Sequence, residues 1–163
     1  MKRLGLVLVM LSVVLLASGC ANNNAPEAAG PPAPNQVSGG LSLEGLEMIN
    51  IRERMFATQV SDIYTNPGNY VGKAVRYEGF YIEEEYGAGE VFRAVIRMSS
   101  DGCCEPTRAG FEIVWDQPYP KFNDWVEVTG VLDEYEEDGE LIVFVRVVSL
   151  RVLAVRGAEF VTQ

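Results

Sequence analysis

Histidine is absent from all 163 residues. Its absence removes the usual general base, the Ser-His and Cys-His nucleophile pairs and the commonest metal ligand. The standard equipment of an enzyme is missing, and a non-enzymatic protein is expected. Basic side chains are also scarce, with 13 Lys and Arg against 23 Asp and Glu and a net charge of −10. Phosphate backbones repel a chain of this sign, so nucleic acid is not expected as a partner. The one long apolar run, Leu6 to Ala17, is short of the roughly 20 residues that a membrane-spanning helix needs. Cysteine occurs three times, at Cys20, Cys103 and Cys104.

What is present begins with an address. Met1-Lys2-Arg3 is a short basic region, Leu6 to Ala17 has the length of a signal-peptide core, and Leu16-Ala17-Ser18-Gly19-Cys20 follows. Small residues directly before a cysteine resemble the lipobox of bacterial lipoproteins. In those proteins the thiol receives a diacylglyceryl group, the leader is cut before the cysteine, and the new amino terminus is usually acylated. The resemblance implies a signal peptide over 1–19, lipid attachment at Cys20 and an extracytoplasmic domain held at the bacterial cell membrane. More than one acyl chain makes such anchoring stable. Ordinary secretion with cleavage nearby is the alternative. Residues 20–42 are rich in Ala, Asn, Pro and Gly and have almost no large apolar side chain. They cannot bury enough surface to offset chain entropy and read as a flexible tether.

The remaining chain is long enough for one domain. Leu43 to Tyr64 reads as helical, because Met55, Phe56, Val60, Ile63 and Tyr64 recur at spacings of three and four. Asn66-Pro67-Gly68-Asn69 should stop that helix at Thr65. Residues 43–70 are thus a helical lead-in and turn, and 71–163 carry strands. The segment 73–82 places Val75 and Tyr77 on one face, but Phe80 and Ile82 beyond Gly79 imply a slip of phase and a bend. In 91–98, Phe92, Ala94, Ile96 and Met98 read as inward, with Arg93 and Arg97 outward. Segment 110–115 puts Phe111, Ile113 and Trp115 on one side. Segment 124–132 does so with Val126, Val128 and Leu132, and Gly130 is a second candidate bend. Segment 140–155 is apolar on both faces, and Asp138-Gly139 before it is a hairpin turn.

Five strands with glycine bends predict an all-β fold with an N-terminal helix: a small five-stranded OB-like barrel, the helix plugging one end. The link 116–123 is too short and proline-rich for the helix that such barrels usually carry there. A β-sandwich is the alternative.

These residues resemble the OB-like domain of two-component permease small subunits, found also in stand-alone lipoproteins of Gram-positive bacteria. The shared features are Asn66, Pro67, Tyr70, Gly72 and Lys73 in the turn, Gly79 and Phe80 in the next strand, and the pair Cys103-Cys104. Trp125, Val126, Val128 and Gly130 complete them. The likeness covers roughly residues 55–132. It implies a membrane-associated accessory role and a membrane-protein or permease partner, not a reaction.

Cys103 and Cys104 would lie outside the reducing cytosol. A buried structural thiol is one reading. A strained disulfide between neighbours is another, since adjacent Cα atoms lie about 3.8 Å apart, below the usual range of about 4.4–6.8 Å. A site for zinc or another soft metal with Asp101 or Glu105 is a third. A nucleophile tuned by Arg97 or Arg108 is a fourth. No cofactor is otherwise indicated. Glu83-Glu84-Glu85 and Glu134-Glu136-Glu137-Asp138 read as solvated hairpin tips, a weak calcium site being the alternative. Tyr119 and Phe122, in the proline-bearing link, are the aromatics expected to be exposed and to form a contact surface. The sum is a lipid-anchored binding or accessory module of a membrane assembly, transport-related. The alternative is a thiol-redox or metal-handling lipoprotein acting through Cys103 and Cys104.

Overall fold

The computed structural model describes residues 41–100 and 105–162. Five long strands carry the fold: β2 (Ala74–Tyr86), β3 (Glu90–Ser100), β4 (Thr107–Val114), β5 (Trp125–Glu137) and β6 (Glu140–Val152). Strand β2 serves two neighbours. Its first half runs antiparallel to β5, with Ala74 opposite Val131, and its second half runs antiparallel to β3, with Tyr86 opposite Glu90. Phe80 is the hinge of this exchange and pairs with both Ile96 and Trp125. β3 continues antiparallel to β4, β4 runs parallel to β6, and β6 is antiparallel to β5. The ring therefore closes as an OB-like barrel, and the sandwich alternative falls.

Two short edge strands were not legible in the pattern. β1 (Met48–Asn50) lies parallel to the start of β2, and β7 (Phe160–Thr162) lies parallel to the end of β3. The expected helix from Leu43 is accordingly corrected in its first half. Gly45 has φ +79, and Met48–Asn50 extends to pair with Ala74–Arg76. Helical structure starts with a single turn at Glu53–Met55 and continues as α1 (Phe56–Thr65). It stops at Thr65, as the Asn66-Pro67 turn requires. α1 buries Phe56, Ala57, Val60 and Ile63 against the barrel interior, where Phe56 meets Tyr77, while the partly exposed Tyr64 stacks on Phe111. The 116–123 link holds no helix.

The interior holds Val75, Tyr77, Tyr81, Val95, Phe111, Ile113, Val126, Val128 and Leu132. Val75, Tyr77 and Tyr81 keep one parity through Gly79, so the expected phase slip does not occur. Phe80 and Ile82 lie on the opposite face instead, where Ala94, Ile96 and Trp125 join them in a second apolar cluster. Phe92, Ala94, Ile96 and Met98 belong to that cluster too, which reverses the expected faces of β3. The alternation was correct, but both faces of β3 are covered, so alternation alone could not say which one is interior. The bend at Gly130 is present as a β-bulge after Thr129, where an added Cβ would lie 2.3 Å from the Arg146 carbonyl oxygen. Asp138 and Gly139, at φ 50 and 84, form the expected hairpin turn.

Tyr77 is 1% exposed, and its hydroxyl has no hydrogen-bond partner among the described residues. An unpaired buried hydroxyl costs about 1–3 kcal/mol. Tyr77→Phe is therefore expected to stabilise the protein by about 1 kcal/mol in urea denaturation, and a lowered midpoint would show that the hydroxyl has a partner after all.

Candidate functional site

β4 joins β6 only from Glu112 onward. Its first residues, Thr107 to Phe111, therefore pair with β3 on one side and leave the β6 side open. α1 stands beside that opening and presents Ala57, Val60, Ser61, Tyr64 and Thr65, a face set by spacings of three and four. Between them lies a cleft of about 530 Å³. Ile82, Phe92, Ala94 and Ile96 give it an apolar wall, and Ile142 of β6 contributes from the other side.

Two polar groups organise it. The Tyr64 hydroxyl donates to the Gly110 carbonyl at 3.1 Å and reaches the Val143 carbonyl at 3.4 Å, bridging β4 and β6 where their ladder is open. Its ring stacks on Phe111 at 5.5 Å. The Tyr64 residue is 43% exposed, but desolvation about its hydroxyl, and secondarily the Glu112 carboxylate, hold the phenol above its ordinary pKa. Glu112 is only 7% exposed, and among the described residues its carboxylate accepts a hydrogen bond from the Tyr135 hydroxyl at 2.9 Å. Among the described residues no basic side chain forms an ion pair with it. Among the described residues, the other charged side chain lining the cleft is Arg108, which is paired with Glu84 at 2.6 Å.

Burial raises the Glu112 carboxyl pKa, the Tyr135 hydrogen bond opposes the rise, and Glu137 adds to it. A carboxyl that holds its proton more tightly in the folded state contributes stability below its ordinary pKa, and loses it as pH climbs through the raised value. At pH 7 the ionised form is thus a burden on the fold. Glu112→Gln fixes the neutral form and keeps an acceptor for Tyr135. Its melting temperature at pH 7 is expected to lie above the wild type's. Its stability should also fall less than the wild type's between pH 5 and 7. Thermal melts across that range test this, and a lower melting point for the variant at pH 7 would contradict it.

The residues expected from sequence fall elsewhere. Phe122 is 68% exposed, in line with the expected exposure. Tyr119 is not free. It stacks on Tyr81 at 5.8 Å, lies beneath the Arg93 guanidinium at 4.6 Å, and its hydroxyl accepts from the Trp115 amide at 3.0 Å. Its ring packs partly buried against the core. Cys20, Cys103 and Cys104 lie outside the described residues. In sequence the pair belongs to the β3–β4 connection, and Ser99 and Thr107, which flank that connection and pair with each other, both line the cleft.

The acidic run at Glu83 is not a free tip. Glu83 binds the Tyr81 hydroxyl and Arg93, Glu84 binds Arg108, and these bonds hold both carboxyls below their ordinary pKa. Among the described residues no group of three or more His, Cys, Asp or Glu is placed to hold a metal ion.

Sequence reasoning missed Glu112, which occupies the polar half of a β alternation and looks solvated. It also misplaced Arg97. That residue is 3% exposed and donates to the carbonyls of Glu78 and Ala158 and to Glu53, between the rings of Phe56 and Trp125.

No curated protein matches the chain. Residues 36–154 match the DUF1980 C-terminal domain, a span that takes in all five barrel strands, and the chain belongs to the DUF1980 C-terminal domain family.

Proposed function

We propose that this protein is a binding module, lipid-anchored through Cys20 on the extracytoplasmic face of a bacterial membrane and accessory to a membrane assembly, transport-related. The observation that carries the binding reading is the cleft between α1 and the open edge of β4, with a buried carboxylate kept in its wall at a cost to stability. Pockets that evolve to bind combine apolar walls with a few placed polar groups, and this one does so. The lipobox resemblance supports the anchor, and the motif resemblance supports a permease-type partner. No reaction is assigned to the chain.

Metabolic labelling with an alkyne palmitate tests the anchor. Label is expected on the wild-type chain in the membrane fraction and none on Cys20→Ala, and an unlabelled wild type sinks the anchored reading. The thiol reading is tested by alkylation of Cys103 and Cys104 with and without reductant, with and without zinc, followed by intact mass. Two freely alkylated thiols in every condition favour the binding module. Protection by zinc, or alkylation only after reduction, favours the thiol reading.

A further inference from the structure

We propose that the cleft takes a small organic cation, an ammonium or amidinium group on an apolar body, with Glu112 as its counter-ion. This rests on the binding reading and names the ligand class. A carboxylate removed from water is costly unless it is paired, and among the described residues its donor is Tyr135, a neutral hydroxyl. A carboxylate offers about four acceptor positions, so most of the capacity of Glu112 is open to a donor that brings positive charge. Arg108 does not fill that role, because its guanidinium is engaged by Glu84.

The surroundings fit the rest of such a ligand. Tyr64, stacked on the buried Phe111, and Phe92 line the cleft. Aromatic faces attract cations through the ring quadrupole, an attraction that grows as the site is desolvated. Ile82, Ala94 and Ile96 supply apolar area for the ligand body. The cleft, at about 530 Å³, falls within the range of small-molecule sites. The chain's net charge of −10 draws cations and repels anions. An anionic ligand would meet the unpaired charge of Glu112, and a neutral one would leave it uncompensated.

The experiment is isothermal titration of the full chain in a neutral detergent at pH 7.5 with three probes of like shape: benzylammonium, benzyl alcohol and benzoate. Saturable binding of benzylammonium is expected, with benzyl alcohol at least about tenfold weaker, the ratio that 1.4 kcal/mol of charge pairing would give, and no binding of benzoate. Glu112→Gln, with an unchanged near-ultraviolet circular dichroism spectrum, should bring the ammonium down to the affinity of the alcohol. Should that variant misfold, Ser61→Trp serves instead. Ser61 is exposed on the cleft wall, and a bulky ring there should weaken benzylammonium binding at least tenfold.

Alcohol binding as tight as the ammonium, or full ammonium affinity in Glu112→Gln, overturns the cation assignment while leaving the cleft a binding site. No saturable binding by any probe overturns the inference outright. The membrane-anchored reading fails separately, on loss of the palmitate label.

Discussion

Gly110→Ala is expected to destabilise the protein by about 4 kcal/mol, a large part of the roughly 5–15 kcal/mol that holds a typical domain folded. Gly110 sits in β4 with φ +153, opposite Ile96 of β3. A Cβ there would lie 2.3 Å from the Val95 carbonyl oxygen and 2.7 Å from the Ile96 Cα. Both are backbone atoms, so no rotamer change can relieve the contact. Overpacking alone costs about 1–3 kcal/mol where side chains can yield, and a backbone conformation that L side chains rarely adopt adds about 1–3 kcal/mol. The same residue supplies the carbonyl that Tyr64 binds, so strand pairing and the cleft would be lost together. Urea denaturation measures the effect. A loss below about 1 kcal/mol would mean that β3 and β4 do not approach as described.

Arg97→Ala is expected to cost about 3 kcal/mol, from the lost donor and the void it leaves, since Glu53 and Glu78 are themselves exposed and would be solvated. Its guanidinium fills the place where β3 parts from β2 after Ile96. There it donates to Glu78 of β2 at 2.8 Å and to Ala158 of the C-terminal segment at 3.1 Å, and it pairs with Glu53 before α1 at 3.3 Å. Phe56 and Trp125 sandwich it at 5.0 and 4.8 Å. Truncation would leave two carbonyls without their donor and a void between two rings. Arg97→Lys should recover less than half of the loss, because a point charge cannot reproduce a planar fork that serves three segments. Full recovery by lysine in urea denaturation would show that charge alone matters there.

Both positions show how far the sequence could be read. The five barrel strands, the stop at Asn66-Pro67, the turn at Asp138-Gly139 and the bend at Gly130 follow from local rules, and the barrel follows from them. β1 and β7 did not, because three-residue edge strands take their form from the neighbour they pair with, not from a pattern of their own. The faces of β3 were reversed because the second apolar cluster makes its outer side as greasy as its inner one. A buried arginine or glutamate in a strand carries the same letters as a solvated one. Arg97 and Glu112 become visible only when Glu53, Ala158 and Tyr135, distant in sequence, are brought beside them. The cysteine pair, the most conspicuous motif in the sequence, falls outside the described residues. The cleft that its flanking residues line was announced by no motif.

The most direct test of the cleft as the binding site is a ¹⁵N chemical-shift map of the full chain titrated with benzylammonium. Shifts are expected along Val60–Thr65 and Thr107–Phe111, with the Glu112 amide among the largest. Shifts gathered instead around Tyr119 to Phe122, or at the β5–β6 turn, would place the ligand elsewhere and contradict the account.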